Sequence, residues 1–474
     1  MKLFEPLNIN GMVIPNRVMV PAMVTHLCRE DGTVNDEIID RYMAYAEGGV
    51  GLIIVEAMAI HANKSGTLLR ISEDHFVPGL SELTKRIHGN SDSKVVPQII
   101  HFMKVAKTGW RQTIDALSIA QIEEIIEQFG RAAGRAREAE FDGLELHSAH
   151  AYTLSSFLSR TNPRTDEYGG TTVEGRLRLI GKVMQSVRRH VGKDFPVCVR
   201  FNAEEFIKNG YTVDESKLIA QRFAELGFDY ISLSVGGKFE DAIHTPGQVL
   251  FPYSGYSGDR CMPGIWLPRA LHVHLAAEIK AHLMAQGLKT PIAIAGKLSD
   301  PEDAERALES GSTDIVGVAR GLLADPAWAN KVKNGRIADI VQCDYCNVCK
   351  QLDGTHKPVI CALWPQGSLQ APKETPAAAP EFARSDVINA KASESQVALR
   401  WNKVAGAALF DIYRMTGSSP PQLVEATKLT NWIDKTVIGG RQYTYEIRAR
   451  SVDGRASAAS LTASVAVPLP EYMS

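Results

Sequence analysis

The sequence predicts an α/β fold: a closed (β/α)8 TIM barrel, followed by a cysteine-rich segment and a small all-β domain. Three observations lead to this prediction. Short apolar runs alternate with amphipathic helical patterns up to about Gly335, four cysteines then fall within 19 residues, and only short alternating runs follow from about Asp386. The 474 residues suffice for a barrel of about 250 residues or more and a second domain of roughly 100.

Apolar, β-rich runs predict the eight strands of the barrel. They lie at residues 17–22, 50–57, 95–101, 143–147, 196–201, 230–235, 291–295 and 314–319. Helical patterns separate most of them, for example at 119–139, 175–190 and 214–226, the last with Asp214 as its N-cap. Strands that alternate with helices indicate a parallel sheet, and the count of eight favours a closed barrel over an open, doubly wound sheet.

Changes of pattern along the chain predict four regions. Residues 1–335 form the barrel and residues 336–367 form the cysteine-rich segment. Residues 368–385 include APKETPAAAPEFARS, which is rich in proline and alanine, as linkers are. Residues 386–474 contain runs such as QVALRW, FDIYRM and YTYEIRARS between turn signals, which is typical of a small β-sandwich.

The composition excludes several classes of function. A net charge of -2 gives no electrostatic reason to expect nucleic acid or an anionic membrane as a partner. The N-terminus lacks the apolar core of a secretory signal, and no apolar run reaches the roughly 18 residues of a membrane span. We therefore expect a cytoplasmic protein with reduced thiols. Cys28, Cys198 and Cys261 are then interpreted as small buried residues.

Two loops near the end of the predicted barrel are candidates for binding phosphate. In such barrels the chemistry lies at the C-terminal ends of the strands, and the last two loops commonly bind phosphate. The seventh strand ends at Gly296 and Lys297, and the eighth ends at Ala319 and Arg320. Gly296 lets the backbone approach a phosphate, while the two cations supply positive charge. The alternative is an ordinary loop glycine with two solvated cations.

Other strand ends carry groups suited to a carbonyl compound and to a flavin. The fourth strand ends in LELHSAHAY, with His147, His150 and Tyr152. Imidazole and phenol can hydrogen-bond a carbonyl oxygen, and tyrosine can deliver a proton. The alternatives are structural histidines or a metal pair, although a metal would require further ligands nearby. Gln98 suits the amide edges of a flavin, and Arg200 suits its N1–O2 side unless it forms a structural ion pair.

The four clustered cysteines have the spacing of a metal site. Their pattern is C-x2-C-x2-C-x11-C, at Cys343, Cys346, Cys349 and Cys361. A tight triplet with one remote thiolate favours a [4Fe–4S] cluster. Structural zinc is the alternative, but zinc sites more often pair two separated CxxC knuckles.

Three ordered motifs within residues 1–365 resemble the old yellow enzyme family of NADH:flavin oxidoreductases. They are LFEPLNINGMVIPNRVMVPAM, HSAHAYTLSSFLSRTNPRTDEYGG and VGVARGLLADP. The resemblance implies FMN as the cofactor. The matching cofactor positions are Ala22, Met23, Ala57, Gln98, Arg200, Gly296, Lys297, Ala319 and Arg320. It also implies that His147 and His150 hold the substrate carbonyl and that Tyr152 donates a proton.

The implied activity is ene-reduction: hydride transfer from reduced FMN to the C=C bond of an α,β-unsaturated carbonyl compound. The cysteines resemble those of the branch that contains 2,4-dienoyl-CoA reductase and trimethylamine dehydrogenase, where the cluster relays electrons to FMN. No GxGxxG pattern follows the cysteines here. The electron donor is therefore open between NAD(P)H, a ferredoxin-like carrier and a partner flavoprotein. Amine oxidation or demethylation, and an electron-transfer subunit, are the alternative functions.

The C-terminal region resembles a fibronectin type III domain. Trp401 stands where a core tryptophan of an early strand is expected, and Tyr443 resembles the tyrosine corner of that fold. Homo-oligomer contacts, shielding of the cluster and docking of a carrier are its candidate roles. Within the barrel, residues 238–268 are interpreted as a substrate lid, and His244 in that lid is a further candidate acid.

Overall fold

The computed structural model describes residues 1–63, 66–103, 113–238, 253, 255–372, 380–383, 385–417, 419–451, 456–457 and 461–470. The chain divides into two compact units, Met1–Pro372 and Lys373–Ser474. The first unit is an α/β barrel and the second is built from β-strands, so the predicted fold class is confirmed.

An antiparallel hairpin, which was not predicted, begins the first unit. It consists of β1 (Leu7–Ile9) and β2 (Met12–Ile14). Its three buried residues Ile9, Met12 and Ile14 pack in one cluster with interior residues of the barrel strands. The hairpin therefore closes the N-terminal end of the barrel and leaves the C-terminal ends of the strands as the open face.

The barrel itself is a closed ring of parallel strands. In chain order they are β3 (Val18–Val20), β4 (Leu52–Ala59), β5 (Lys94–Ile100), β6 (Leu144–Ser148), β7 (Val197–Asn202), β8 (Tyr230–Ser234), β9 (Ile292–Ala295) and β10 (Ile315–Gly317). Each strand pairs with the next, and β10 pairs with β3 to close the ring. Each one overlaps a run predicted as a strand, because strands buried on both faces are continuous apolar segments.

The structure describes twelve helices in the first unit, and the longer ones surround the ring and bury apolar residues. They are α1 (Asp36–Glu47), α2 (Val77–Asn90), α3 (Ile119–Glu138), α4 (Thr153–Leu158), α5 (Val173–Val191), α6 (Val213–Glu225), α7 (Gly255–Cys261), α8 (Val273–Ala285), α9 (Pro301–Glu309), α10 (Ala319–Ala324), α11 (Trp328–Lys333) and α12 (Val348–Gly354). Among the described residues, no helix combines the length and the apolar character needed to cross a membrane.

Local sequence signals explain where two of the long helices begin. A capping box starts α3, because the Ser118 side chain accepts from the Gln121 backbone while the Gln121 side chain accepts from the Ser118 backbone. The expectation that Asp214 caps α6 is wrong. The N-cap is Thr212, and Asp214 lies inside the first turn, where its negative charge favours the helix dipole.

The cysteine-rich segment belongs to the first compact unit. After α11 it runs over the barrel and forms the short helix α12, which carries Cys349. The unit extends to Pro372 because the chain is still hydrogen-bonded there: the Gln370 side chain donates to the Glu37 carbonyl over 2.9 Å.

The second unit contains two antiparallel sheets. Their strands are β11 (Asn389–Ser393), β12 (Gln396–Arg400), β13 (Leu409–Thr416), β14 (Gln422–Thr427), β15 (Asn431–Asp434), β16 (Gln442–Arg450) and β17 (Leu461–Ala466). One sheet has the order β11-β12-β15 and the other β14-β13-β16-β17. Trp401 is buried, with its ring centroid 5.6 Å from that of Phe410. The Tyr443 hydroxyl accepts a hydrogen bond from the Ile438 backbone over 2.9 Å.

Candidate active site

A cleft opens at the C-terminal ends of the barrel strands. It brings together every residue predicted to contact cofactor or substrate. These are Ala22, Met23, Ala57, Gln98, His147, His150, Tyr152, Arg200, Gly296, Lys297, Ala319 and Arg320. Of the four clustered cysteines, only Cys349 lies among the lining residues. His244 and the other lid residues within 239–252 and 254 lie outside the described residues.

A bulge in β4 sets the position of Ala57. The register between β4 and β5 shifts at Glu56, so that Ala57 stands opposite Gln98 and both line the cleft. The Glu56 carboxylate is fully buried and accepts from the Thr25 hydroxyl at 2.6 Å and from the Tyr42 hydroxyl at 3.2 Å. Burial raises the pKa of Glu56, although the Thr25 hydrogen bonds oppose the shift. A buried carboxyl group thus holds the strand end in place.

Gln98 and Arg200 are oriented from inside the barrel. The Gln98 amide donates to Glu145 Oε1 over 2.6 Å, which directs its carbonyl oxygen away from that carboxylate. Arg200 donates to Ser232 Oγ at 2.9 Å and to Ser234 Oγ at 3.2 Å. Burial raises the pKa of Glu145 against the opposing effect of Arg200. Its two hydrogen bonds go to neutral hydroxyls, and Arg200 also lines the cleft, where its guanidinium can meet an electron-rich group.

Two cations stand together at the loops after β9 and β10. Lys297 Nζ donates to the carbonyls of Gly264 and Leu267, and Arg320 donates to the Pro263 carbonyl and the Asn347 side chain. Burial, followed by the charge of Arg320, lowers the pKa of Lys297. All the partners that the structure describes for this pair are neutral, so an anion would relieve the repulsion between them.

The Tyr345 ring lies against both cations. Its centroid is 4.5 Å from Lys297 Nζ and 4.9 Å from Arg320 Cζ, distances at which the ring attracts each cation. The Tyr345 hydroxyl also hydrogen-bonds Ser299 Oγ at 2.5 Å. The cysteine-rich segment, through Tyr345, therefore helps to build this end of the cleft.

His147, near the end of β6, forms one cluster with His150 and Tyr152, which follow that strand. The rings of His147 and His150 are 5.0 Å apart, and those of His147 and Tyr152 are 5.2 Å apart. His150 and Ala151 have φ angles of 59° and 62°. Two successive non-glycine residues in the left-handed region are strained, a feature that clusters at functional sites. This turn directs Tyr152 back toward the histidines.

Both imidazoles are neutral at ordinary pH. Burial, with the charges of Arg200 and Lys238, lowers the pKa of His147 to about 3. Burial and the neighbouring His147 lower the pKa of His150 well below its usual value. The Ala149 N–H donates to Nδ1 of His147 at 3.3 Å, so the proton of that neutral ring is on Nε2. His147 therefore presents an N–H donor.

The sequence analysis missed three charged residues next to this cluster. Lys238 Nζ is 3.3 Å from Asp353 Oδ2, and His26 Nε2 is 3.3 Å from Asp353 Oδ1. All three residues line the cleft. Lys238 comes four residues after the end of β8, so attention to charged residues just beyond strand ends would have found it. Nothing in the sequence pairs it with Asp353, which is 115 residues away.

Residues 2–115, 106–246 and 268–339 match the model of the NADH:flavin oxidoreductase / NADH oxidase family. The chain belongs to this family. The resemblance to the old yellow enzyme family is thereby confirmed. An NADPH dehydrogenase of Geobacillus sp. (strain WCH70) is 33% identical over 342 residues, which cover 69% of this chain and 92% of that protein.

Two further relatives are larger than this chain. An NADH oxidase of Thermoanaerobacter brockii is 35% identical over 367 residues, 73% of this chain and 53% of that protein. A solved complex of 2-naphthoyl-CoA reductase with 2-naphthoyl-CoA matches with a TM-score of 0.67 and 26% identity, over 77% of this chain and 57% of that one. This chain thus spans about half the length of these relatives.

Family membership supports FMN as the cofactor, and the cleft has groups that fit it. The Lys297–Arg320 pair fits a phosphate. Gly296 has a φ of 135°, and a Cβ atom there would come within 2.3 Å of His272 Nδ1. His272 Nδ1 is 3.2 Å from the Ala295 carbonyl, so it must donate, and burial lowers the pKa of this ring to about 4. Its Nε2 is then a buried acceptor without a partner among the described residues, which a ligand hydroxyl would satisfy.

The four clustered cysteines differ in their exposure to solvent. All of them are free thiols, and Cys346 is exposed while the other three clustered ones are half-buried. Among the described residues, no three His, Cys, Asp or Glu side chains stand in position to hold a metal ion. The [4Fe–4S] cluster therefore stays a prediction. Cys28 and Cys198 are buried, whereas Cys261 is half-buried and lines the cleft.

Proposed function

We propose that this family member is an FMN-dependent ene-reductase. Its substrate is an α,β-unsaturated carbonyl compound, and its reductant is NAD(P)H. The observation that carries the proposal is the set of two neutral imidazoles and one phenol at the mouth of a cleft that fits FMN. This set can bind a carbonyl oxygen and supply a proton, whereas an electron-transfer subunit needs neither group.

The residues of the cleft divide into two groups by task. Reduced FMN, when bound, supplies the hydride for the β-carbon of the alkene. Lys297 and Arg320 would hold its phosphate, Gln98 would contact the amide edge of its ring, and Arg200 would offset negative charge on the N1–O2 side. Ala22, Met23, Ala57, Gly296 and Ala319 provide the close-fitting walls.

His147 and His150 bind the substrate carbonyl. The Nε2–H of His147 donates to the carbonyl oxygen, and this hydrogen bond strengthens as negative charge develops on that oxygen. A neutral donor suits the task, because it polarises the carbonyl without giving up its proton. His150 is held by Ser234, whose Oγ lies 2.6 Å from its Nε2.

Tyr152 is the proton donor for the α-carbon. Burial raises the pKa of Tyr152, so the phenol keeps its proton at neutral pH and is available as an acid. Hydride addition on one carbon and proton addition on the other complete the reduction. Amine oxidation requires no such arrangement of carbonyl donors.

The experiment that tests this proposal removes the carbonyl donors one at a time. His147→Ala and His150→Ala proteins are loaded with FMN and assayed for reduction of 2-cyclohexenone. We expect each change to lower kcat/KM by about 100-fold or more, the usual effect of removing one such donor, with FMN still bound. His75→Ala, at an exposed histidine, is the matched control. Enone reduction that survives both changes would refute the assignment.

We also infer that Cys343, Cys346, Cys349 and Cys361 hold a [4Fe–4S] cluster. Their spacing supports it, and Cys343 and Cys346 are close enough to Cys349 and Cys361 that their charges, after burial, raise the pKa of those two thiols. Iron and acid-labile sulfide in equal amounts in anaerobically purified protein is the expected result. Stoichiometric zinc without iron would contradict it.

The second unit is proposed to be a fibronectin type III-like domain that follows a linker. Its two sheets, the buried Trp401 and the Tyr443 hydrogen bond support this assignment. Such domains usually bind or space other parts of a protein, so no catalytic step is assigned to it.

A further inference from the structure

Tyr152 has a buried cationic neighbour. Lys238 is 7% exposed, and its ammonium group is hydrogen-bonded to the Tyr152 side chain. The same ammonium group contacts Asp353 Oδ2 at 3.3 Å and lies 5.0 Å from the centroid of the Tyr253 ring. A cation that contacts a predicted proton donor can change both the orientation and the acidity of that donor.

The direction of the hydrogen bond follows from elementary chemistry. A protonated lysine has three N–H donors and no acceptor, so Lys238 must donate and the Tyr152 oxygen must accept. This contact holds the Tyr152 oxygen at the wall of the cleft that Tyr152 lines. The hydrogen bond therefore orients the group whose proton the reaction uses.

Asp353 keeps Lys238 charged in this buried place. Burial alone would lower the pKa of Lys238, but Asp353 and Tyr152 outweigh burial and raise it. Asp353 is itself held by His26, and Lys238 and His26 lower its pKa to about 2 despite its burial. The carboxylate comes from α12, the helix that also carries Cys349. The cysteine-rich segment thus contributes directly to the surroundings of Tyr152.

We propose that Lys238 is the positioning residue for proton transfer from Tyr152. Its ammonium group directs the phenol O–H at the substrate and stabilises the phenolate that remains. This inference rests on the proposed ene-reduction. In the step, the O–H bond of Tyr152 breaks and a C–H bond forms at the α-carbon, while the hydride from reduced FMN forms the C–H bond at the β-carbon. The phenolate regains its proton from solvent after the product leaves.

A different use of Lys238 would be to bind the carboxylate of an acidic substrate. The contact with Asp353 argues against it, because the carboxylate already balances the lysine charge. The two uses differ in kinetics. A positioning residue affects kcat with little change in KM, whereas a carboxylate-binding residue affects the KM of acidic substrates and leaves neutral enones unchanged.

The acidity of Tyr152 can be measured without cofactor or turnover. Difluorotyrosine, a more acidic phenol, is inserted at position 152 and titrated by ¹⁹F NMR in the FMN-free protein. The titratable or charged groups that face this site are Lys238, Asp353, Tyr253, Cys261 and His147. We expect Lys238→Met to raise the titration midpoint by about one pH unit or more, because it removes the cation next to the phenolate. Lys238→Arg, which keeps the charge, should restore most of the shift.

A second variant keeps the test valid if the Lys238→Met protein fails to fold. Lys238→Met leaves the Asp353 carboxylate buried without its lysine partner, so the double variant Lys238→Met/Asp353→Asn removes both charges together. It should still show a rise in midpoint, smaller than that of Lys238→Met because the Asp353 charge itself raises the pKa of Tyr152. In the FMN-loaded protein, kcat for 2-cyclohexenone should be at least about tenfold lower, with KM within about twofold. A midpoint equal to that of the parent in both variants would overturn the proposal. If the parent itself fails to reduce enones, ene-reduction fails, while the NMR titration still decides whether Lys238 controls Tyr152.

Discussion

At the scale of single residues, the mouth of the barrel depends on histidines that stay neutral. His147 is almost fully buried, and the cations Arg200 and Lys238 lie near it. Protonation would place a third positive charge in that region, which is why the folded protein resists it. The same resistance keeps the Nε2–H of His147 available as a neutral donor across the physiological pH range.

The lowered pKa of His147 makes the free energy of unfolding decrease as the pH falls. The pKa of His147 is about 3 in the folded state, against an ordinary value of about 6.5. Between these values the unfolded chain binds a proton that the folded chain does not, so the free energy of unfolding falls as the pH falls from about 6.5 toward 3. His147→Gln should flatten this dependence by up to about 1.4 kcal/mol per pH unit.

Urea unfolding of the FMN-free protein between pH 6.5 and pH 5 measures the effect. The exposed His75→Gln variant is the control and should keep the slope of the parent protein. A slope in His147→Gln that equals the parental slope would show that His147 is already protonated or exposed in the folded state.

At the scale of elements, we expect the backbone conformation of the turn after β9 to determine how tightly FMN binds. Gly296 has a left-handed φ and lies against the His272 ring, while Lys297, the next residue, has a φ of 54°. Gly296→Ala adds a methyl group where there is no space for it and strains the backbone by about 1–3 kcal/mol. We expect FMN affinity, measured by flavin fluorescence titration, to fall by about tenfold or more, since tenfold corresponds to about 1.4 kcal/mol.

A second glycine, Gly311, serves as a control that distinguishes the effect of backbone strain from the effect of crowding at Gly296. Gly311 has a φ of 72° with open space around its Cα, and it does not line the cleft. Gly311→Ala should therefore cost some stability and leave FMN affinity within about twofold of the parent. Equal loss of FMN affinity in both variants would mean that the turn after β9 has no special part in binding the cofactor.

The elements also show which features a single sequence reveals. The barrel strands are apolar runs of typical length, and their ends carried the residues that line the cleft, so both could be predicted. The bulge at Glu56 could not, because register depends on the neighbouring strand and on Thr25 and Tyr42 behind it. The Lys238–Asp353 contact could not be predicted either, because it joins the loop after β8 to helix α12 with no shared pattern.

At the scale of the whole molecule, the predicted catalytic and cofactor residues belong to one compact unit. Met1–Pro372 contains the cleft, the clustered cysteines and the Lys238–Asp353 contact. The second unit has its own buried core, which includes Trp401, Phe410 and Ile447. A protein that can bury a core in each unit separately is expected to tolerate their separation.

Truncation after Pro372 tests this independence. The shortened protein should bind FMN with the affinity of the full chain and reduce 2-cyclohexenone with a kcat/KM within about threefold, since no residue proposed for the reaction is removed. The full chain, prepared in parallel, is the control. Loss of FMN binding in a truncated protein that remains folded would show that Lys373–Ser474 contributes to the cofactor site.

The most direct test of the central claim is a single anaerobic turnover. The FMN-loaded protein is reduced with NAD(P)H or dithionite, mixed with 2-cyclohexenone and followed by the absorbance of oxidised flavin. Ene-reduction predicts rapid return of that absorbance in the parent protein, with formation of cyclohexanone, and a return at least about 100-fold slower in His147→Ala. A flavin that stays reduced in the parent protein in the presence of the enone would contradict the account.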